Sequence, residues 1–163
     1  MLHLRKATIK DLKAIQELNN ELFEYEMANG FDKYVKDWPL STEGRDYFYD
    51  LIENQYVILA EVDNCVVGYL AGSLYTDYTY YEGITAEMNN MFVKEKYRRF
   101  GIGSKFVGSF LEWAKSKNAK RVFVTASCRN ENTINFYEKM GFETINTTLK
   151  FDFTESGQQT HKE

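Results

Sequence analysis

The sequence has 163 residues, of which 44% are hydrophobic, and a net charge of −4 at pH 7. This size and composition are enough for one domain with an apolar core, but the acidic balance argues against general nucleic-acid binding, which needs a basic face. No apolar run approaches the roughly 18 residues that a membrane span needs, so we expect no membrane partner.

Cysteine and histidine usage indicates a cytoplasmic protein without a metal site. The two histidines, His3 and His161, lie near the ends of the sequence, so there is no His/Cys cluster with metal-ligand spacing. Cys65 and Cys128 lie in strand-like patterns, and we expect buried thiols rather than a disulfide. Residues 1–6 lack the long apolar segment of a signal peptide.

The periodicity of apolar residues predicts elements in the order β-α-α-β-β-β-α-β-α-β-β. Strands are predicted at 2–7, 56–62, 65–74, 84–93 and 120–128, with a final pair within 142–153, and helices at about 9–28, 42–53, 105–117 and 131–140. Ser41 or Thr42 caps the second helix, and Asp63-Asn64 forms a tight turn. This order predicts an α/β fold: one domain over 1–153 with a mixed, mostly antiparallel sheet flanked by helices, and a polar tail over 154–163.

Residues 93–104 combine the end of a strand, a basic glycine-containing turn and the start of a helix. The first N–H groups of a helix lack internal partners and lie at the positive end of its dipole. Gly101 and Gly103 let a phosphate approach the backbone closely, and Arg98 and Arg99 add positive charge. The turn therefore indicates a phosphate-bearing cofactor, although a turn that merely precedes an amphipathic helix would look alike. The third glycine of a Rossmann fingerprint is absent, and so is the spacing of a Walker A loop.

A second segment, residues 130–142, lies further along the chain. Together the two segments resemble the Gcn5-related N-acetyltransferase (GNAT) superfamily over about residues 2–153. In that family an R/Q-x-x-G-x-G/A loop binds the pyrophosphate of acetyl-CoA, and an N-x-x-A-x-x-x-Y-x-x-x-G-F helix flanks its pantetheine arm and sulfur. This chain keeps four residues of the helix pattern as Asn130, Tyr137, Gly141 and Phe142 and has Thr133 at the alanine position. The resemblance implies the acyl-CoA N-acyltransferase fold, with about four helices, and acetyl-CoA or coenzyme A as co-substrate.

The resemblance also implies a set of cofactor-binding residues. Main-chain groups of the glycine turn and the side chain of Ser104 would bind the pyrophosphate, and Asn130, or Asn132 beside it, would hydrogen-bond the pantetheine arm. The implied set is Met91, Phe92, Val93, Arg98, Arg99, Phe100, Gly101, Ile102, Gly103, Ser104, Asn130, Asn132 and Tyr137.

Acetyl transfer to an amine needs a base for the amine, a donor for the developing oxyanion and a proton for the departing thiolate. The resemblance implies Tyr137 as the acid and the main-chain N–H of Met91 as the oxyanion donor. Glu87, on the strand that enters the turn, has the relative position of the general base in the histone-acetylating branch. Two alternatives stay open: Glu87 is a solvated carboxylate and Glu82 or Asp77 is the base, or Tyr137 only packs its helix.

Aromatic residues alternate with carboxylates in the loops over 25–50 and 75–83, which should face the acceptor. Carboxylates pair with a cation, and rings add cation–π contacts of about 0.5–2 kcal/mol each. This pattern indicates a cationic primary amine: a polyamine, an aminoglycoside-like molecule or a peptide amine. Helix packing or a dimer contact would explain the same aromatics. The predicted acceptor-binding residues are Tyr25, Phe31, Trp38, Asp77, Tyr80 and Glu82.

Two other functions fit parts of the pattern. A non-catalytic acyl-CoA-binding regulatory module of the same fold would share the glycine turn, but the presence of both Glu87 and Tyr137 weighs against it. A nucleotide-binding oxidoreductase is disfavoured by the missing third glycine. Monomer and homodimer both stay open, because the apolar alternation over 147–153 suits an edge strand that pairs with a second copy.

Overall fold

The computed structural model describes residues 1–75 and 81–153, and these form a five-stranded mixed sheet with helices on both faces. The strands are β1 (Leu2–Lys6), β2 (Tyr56–Val62), β3 (Cys65–Tyr75), β4 (Ile84–Val93) and β5 (Ala119–Val124). They lie side by side in this order, antiparallel from β1 to β4, with β5 parallel to β4. The α-helices of the described ranges are α1 (Leu12–Ala28), α2 (Thr42–Asn54), α3 (Ile102–Ser116) and α4 (Glu131–Lys139). The predicted mixed, mostly antiparallel sheet with about four helices is confirmed.

Strand β2 shows why both faces of the sheet are covered. Its residues 56–60 are all buried, so neither side of the strand faces water. Successive side chains of a strand point to opposite faces. Tyr56 and Ile58 accordingly join an apolar cluster under α3 and α4, whereas Val57 and Leu59 join a second cluster under α1 and α2.

Local residue chemistry sets several element boundaries. The Ser41 side chain accepts a hydrogen bond from the Gly44 N–H at 3.1 Å, which caps α2 as predicted. Asp63 and Asn64 both have positive φ, 51° and 63°, as the two-residue turn between β2 and β3 requires. The carboxylate of Asp11 accepts hydrogen bonds from the N–H and the hydroxyl of Thr8, and α1 begins directly after a short 3-10 turn at Ile9–Asp11.

Strand β4 changes register in its middle. Ala71 pairs with Asn90 and Gly72 pairs with Met88, so Asn89 is an extra residue that forms a β-bulge. The parallel pairing with β5 ends at Met88, opposite Val124. Beyond this point β4 continues to Val93 beside β3 alone, and the sheet opens between β4 and β5.

Three sequence predictions are wrong. No strand forms within 142–153 in the described chain, because an alternating pattern creates a strand only where a neighbouring edge supplies its hydrogen bonds. Strand β5 ends at Val124 rather than at 128, since the following residues turn back, with the Asn130 N–H bonded to the Ser127 carbonyl at 2.9 Å. The two cysteines are free, as expected, but exposed rather than buried: Cys65 follows the hairpin turn, and Cys128 lies in the connection before α4.

In the two described ranges, no helix combines the length and the apolar character that crossing a membrane requires.

Candidate active site

The turn before α3 presents main-chain donors at the opening of the sheet. Arg99 and Gly101 have positive φ, 66° and 76°, and α3 begins at the next residue, Ile102. A Cβ on Gly101 would meet no atom within 4 Å, so this position needs glycine for its backbone conformation rather than for space. The first helical bond at this end joins the Lys105 N–H to the Gly101 carbonyl. The N–H groups of residues 102–104 therefore point out of the helix end, where an anion can accept from them.

The side chain of Arg98 holds the turn against the rest of the fold. Its Nε donates to the Val93 carbonyl at 2.8 Å, and its guanidinium lies over the rings of Tyr25, at 4.6 Å, and Phe92, at 5.4 Å. The positive charge predicted at Arg98 is thus present beside the turn, but its guanidinium already contacts rings of both α1 and β4. Arg99 is exposed.

The main-chain groups of Met91 face the opening between β4 and β5. The Lys94 N–H bonds the Val67 carbonyl of β3 at 2.9 Å, and main-chain groups along a strand alternate between its two neighbours. Val93 and Met91 therefore direct theirs away from β3, as the bond between the Val93 carbonyl and Arg98 confirms. Since β5 pairs with β4 only as far as Met88, the Met91 N–H can act as a donor in the opening.

Helix α4 closes the other side of this opening. A Cβ on Gly103 would lie 3.3 Å from the Phe136 ring and 3.9 Å from the Met91 side chain, so α3, α4 and β4 converge there. Asn130 caps α4, because its side-chain oxygen accepts from the Thr133 N–H at 3.2 Å. Asn132 is exposed at the start of the helix.

Tyr137 lies in α4 and is only 7% exposed. Its ring packs edge-on against Phe136 and Phe142, with centroids 5.1 and 5.5 Å away. Its hydroxyl makes no hydrogen bond to any residue of the described ranges. Burial, with a smaller contribution from the negative charge of Glu26, raises the pKa of the Tyr137 phenol. The group is therefore protonated at neutral pH and can donate a hydrogen bond.

Glu87 projects to the opposite face of the sheet from the α3 cluster. Its neighbours Ala86 and Met88 both belong to that cluster, so strand alternation directs Glu87 toward the side covered by α1 and α2. Burial raises the pKa of its carboxyl group, and a hydrogen bond from Tyr75 partly offsets this rise. A carboxylate with a raised pKa is better matched to take a proton near neutral pH.

Polar side chains that the sequence analysis did not assign surround the bulge. The amide of Asn90 donates to the hydroxyl of Tyr47 at 3.1 Å, and burial raises the pKa of Tyr47, with Tyr75 and Glu87 adding to the rise. One sequence feature could have pointed here: Asn89-Asn90 is a polar pair in the middle of an otherwise apolar strand.

Aromatic rings from α1, α2 and the connection between them form a continuous wall. Phe23 stacks on Tyr34 at 3.9 Å and lies 6.2 Å from Trp38, which in turn lies 5.7 Å from Tyr47. The hydroxyl of Tyr34 donates to the carboxylate of Glu26 at 2.6 Å. Burial raises the pKa of Glu26, and the Tyr34 bond opposes that rise. The sequence analysis did not select Glu26, because nothing local marks it as close to Tyr137.

The predicted acceptor residues lie in different places rather than in one cluster. Tyr25 and Phe31 pack edge-on at 6.1 Å near the Arg98 guanidinium, and the Phe31 carbonyl accepts from the Ser127 hydroxyl of the connection before α4. Trp38 belongs to the aromatic wall, and Glu82 is exposed. Asp77 and Tyr80 lie outside the described residues. Among the described residues, no group of three His, Cys, Asp or Glu is placed to hold a metal ion.

Comparison with known proteins agrees with this geometry. A model of the acetyltransferase (GNAT) family matches residues 12–142. The chain is 28% identical over 145 residues to the uncharacterized N-acetyltransferase MJ1207 of Methanocaldococcus jannaschii. The matched region covers 86% of this chain but only 60% of the length of MJ1207. The chain is also 27% identical over 146 residues to the thialysine N-epsilon-acetyltransferase of Bos taurus, covering 87% of this chain and 84% of that protein.

A solved structure shows the same fold. The aminoglycoside N-acetyltransferase AAC(6')-Iy in complex with CoA superposes with a TM-score of 0.75 at 14% identity, covering 93% of this chain and 94% of the other. The family match spans most of the chain and includes both the glycine turn and α4. The chain therefore belongs to the acetyltransferase (GNAT) family, and its domain is an acetyl-CoA-dependent N-acetyltransferase domain.

Proposed function

We propose that this protein transfers an acetyl group from acetyl-CoA to a cationic primary amine by direct attack in a ternary complex. One observation carries the proposal: the open N-terminus of α3, the outward main chain of Met91 and helix α4, which carries Tyr137, border the opening between β4 and β5. These are the donors that a diphosphate, a thioester carbonyl and a departing thiolate require.

The residues present fit the cofactor. The turn over residues 98–104 would bind the diphosphate through the outward N–H groups at the start of α3. Ser104 is exposed beside these groups. Asn130 and Asn132 at the start of α4 would contact the pantetheine arm, with the Asn130 oxygen already used as a helix cap. Acetyl-CoA supplies the activated acyl group; the chain supplies orientation, charge stabilisation and proton transfer.

Each catalytic candidate has one task. Glu87 takes a proton from the attacking amine, directly or through one water, for which its raised pKa suits it. The N–H of Met91 donates to the carbonyl oxygen as negative charge develops there. Tyr137, which is protonated at neutral pH, donates its proton to the departing sulfur.

The acceptor side supports a positively charged amine. The carboxylates of Glu26 and Glu87 lie among the rings of Tyr34, Tyr47 and Trp38, a combination that attracts an ammonium group by charge and by cation–π contact. Thialysine, which the bovine relative is named for, and the aminoglycosides acted on by the structural relative both carry such groups. We further propose that Tyr25, Phe31 and Glu82 line the approach, and that the protein works in the cytoplasm without nucleic-acid or membrane partners.

An amine panel tests the proposal. The protein is incubated with acetyl-CoA and spermidine, thialysine, an aminoglycoside or a lysine-containing peptide, and the released thiol of CoA is measured against acetyl-CoA alone. We expect release of the CoA thiol with at least one cationic amine and none with an analogue whose amino groups are already acylated. Calorimetric binding of CoA without release in any mixture would favour the regulatory module instead. No heat with CoA would contradict both functions.

A further inference from the structure

Glu87 shares its face of the sheet with two polar side chains of β3. Ser73 pairs directly with Glu87 across the two strands. A Cβ on Gly72, the residue before Ser73, would meet the Phe110 ring of α3, so Gly72 faces the α3 side. Strand alternation therefore directs Ser73 and Tyr75 to the opposite side, where the Glu87 carboxylate also lies.

Hydrogen bonds connect these side chains through Asn89, the extra residue of the β4 bulge. The Ser73 hydroxyl donates to the Asn89 side-chain oxygen at 2.9 Å, and the Asn89 amide donates to the Tyr75 hydroxyl at 3.4 Å. Tyr75 in turn donates to the Glu87 carboxylate. Ser73 is only 8% exposed and the other three residues are partly buried, so this hydrogen-bond series starts in the protein interior and ends at Glu87.

The chemistry of the four groups allows one direction for the protons of this series. An ionised carboxylate only accepts hydrogen bonds, so the single proton of the Tyr75 hydroxyl goes to Glu87 and the Tyr75 oxygen is left to accept. Asn89 must then present its amide nitrogen to Tyr75 and its oxygen to Ser73, whose hydroxyl donates. Each donor polarises the next one, so the whole series favours the ionised form of Glu87.

We propose that Ser73, Asn89 and Tyr75 form a one-way hydrogen-bond series that positions the Glu87 carboxylate to take the proton of the attacking amine. This inference rests on the proposed function, in which Glu87 is the base. Tyr75 is a positioning residue, because it acts on the amine only through Glu87. A carboxylate held by one donor keeps its remaining lone pairs for the amine or for one water, while the bond limits its rotation.

Other titratable and charged groups come from the elements packed around Glu87. Tyr47 of α2 lies within reach of the Glu87 charge, and Arg121 of β5 packs its guanidinium over the Tyr81 ring at 4.7 Å. The negative charge of Glu26 in α1 acts on buried tyrosines. In the described chain, burial raises the pKa of Glu87 and the last bond of the series lowers it.

Tyr75→Phe tests the proposal, because it removes that last bond and keeps the ring. The bond stabilises the ionised carboxylate, so its loss should raise the titration midpoint of Glu87 by about one pH unit. The acid limb of kcat/KM should move to higher pH by the same amount. Carbon-13 NMR of labelled glutamate carboxyl groups, with Glu87→Gln to assign the signal, gives the midpoint. Rates with acetyl-CoA and an amine from the panel give the limb.

Two further variants separate the series from general effects near Glu87. Ser73→Ala should raise the midpoint by less than Tyr75→Phe does, and it should add nothing in the Tyr75→Phe background, because Ser73 acts only through Tyr75. Tyr47→Phe removes a phenol that is near Glu87 and bonded to Asn90 instead. It should leave the midpoint and the limb in place, whatever its effect on acceptor binding.

The two readouts distinguish the failure of this inference from the failure of the proposed function. A Glu87 midpoint that stays in place in Tyr75→Phe, or that moves as far in Tyr47→Phe, would overturn the positioning role and leave Glu87 as the base. An additional shift from Ser73→Ala in the Tyr75→Phe background would contradict the series. A midpoint that moves while the limb stays would remove Glu87 as the base, and the positioning role would fall with it.

Discussion

The Tyr137 side chain has a feature that a tyrosine with only a packing role would not need. A buried phenol normally finds a hydrogen-bond partner, as Tyr56 does with Ser109 at 2.7 Å in the same apolar cluster. The Tyr137 hydroxyl makes no hydrogen bond in the described chain, although its ring is as well packed as that of Tyr56. A hydroxyl without a partner, on a helix that borders the opening of the sheet, is suited to hydrogen-bond a ligand atom.

We therefore expect Tyr137→Phe to lower kcat by about 10²–10⁴-fold, the usual contribution of one proton-transfer group, and to leave CoA affinity close to that of the wild type. Steady-state kinetics and calorimetry give the two quantities. Tyr56→Phe is the matched control, because it removes a phenol of similar burial from the same cluster, and it should keep kcat. Equal kcat in Tyr137→Phe and the wild type would remove Tyr137 from the mechanism.

The titration of Glu87 should appear in the pH dependence of the rate. Burial raises the pKa of its carboxyl, and a base works only when deprotonated, so kcat/KM should fall as the pH drops through that raised value. The midpoint of this acid limb should lie above about 4.3, the value of an unperturbed glutamate. Glu87→Gln should lower the rate and abolish the limb.

Glu82→Gln provides the comparison for this limb, because Glu82 is an exposed carboxylate close to the start of the same strand. It should retain both the rate and the limb. If Glu82→Gln loses the limb and Glu87→Gln keeps it, the base is Glu82 and the assignment of Glu87 is wrong.

The bulge of β4 is held by a network that joins four elements. Asn19 of α1 is fully buried, and its amide donates to the hydroxyl of Tyr69 in β3 at 2.7 Å and to the side-chain oxygen of Asn90 in β4 at 3.1 Å. Asn90 in turn donates to Tyr47 of α2. The network fixes the residue directly before Met91, so it sets the direction of the proposed oxyanion donor.

Loss of this network should affect stability and turnover together. We expect Asn19→Ala to reduce the free energy of unfolding by about 1–3 kcal/mol, because it removes the amide that donates to the buried Tyr69 hydroxyl. It should also lower kcat more than it raises KM for acetyl-CoA. Urea unfolding and steady-state kinetics measure these effects. Asn20→Ala, which removes an exposed bond to Glu24, should change the unfolding free energy by less than about 0.5 kcal/mol, and a similar loss in both variants would contradict the role of the network.

At the scale of the whole molecule, the sequence predicts what depends on near neighbours. The Ser41 cap, the Asp63-Asn64 turn and the glycine turn each depend on a few adjacent residues, and all were found where expected. The glycine turn and the motif around Tyr137, taken together, likewise identified the family. The order of the elements predicted a mixed sheet covered by helices, and the five buried residues of β2 agree with cover on both faces.

Contacts between distant residues could not be predicted in this way. Asn19 and Asn90 are 71 positions apart, and no local pattern brings them together. Glu26 of α1 contributes to the raised pKa of Tyr137 in α4, and only the tertiary fold brings these two residues within reach of each other. Residues 142–153 show the same limit, since their apolar alternation predicted a pair of strands and the described chain forms none there.

One ion-pair group ties the first strand to its neighbours. Arg5 of β1 donates to the carboxylates of Glu61 in β2, at 2.6 Å, and of Asp11 at the start of α1, at 2.8 Å. The guanidinium of Arg5 lowers the pKa of Asp11 to about 2, with the Thr8 bonds assisting. Because Asp11 is nearly buried, its removal leaves Arg5 with one partner fewer in a partly desolvated position.

Asp11→Asn should therefore lower the free energy of unfolding by about 2 kcal/mol at neutral pH. The folded pKa lies below the unfolded value of about 3.9, so the stabilisation is complete above that value and disappears as the pH falls toward 2. Urea titrations at pH 7 and at successively lower pH should show the difference between wild type and variant shrinking over this window. Asp63→Asn removes an exposed pair with the N-terminus, at 2.9 Å, and should change stability little at any pH. A difference for Asp11→Asn that stays constant down to pH 2 would show that shape, rather than charge, makes Asp11 stabilising.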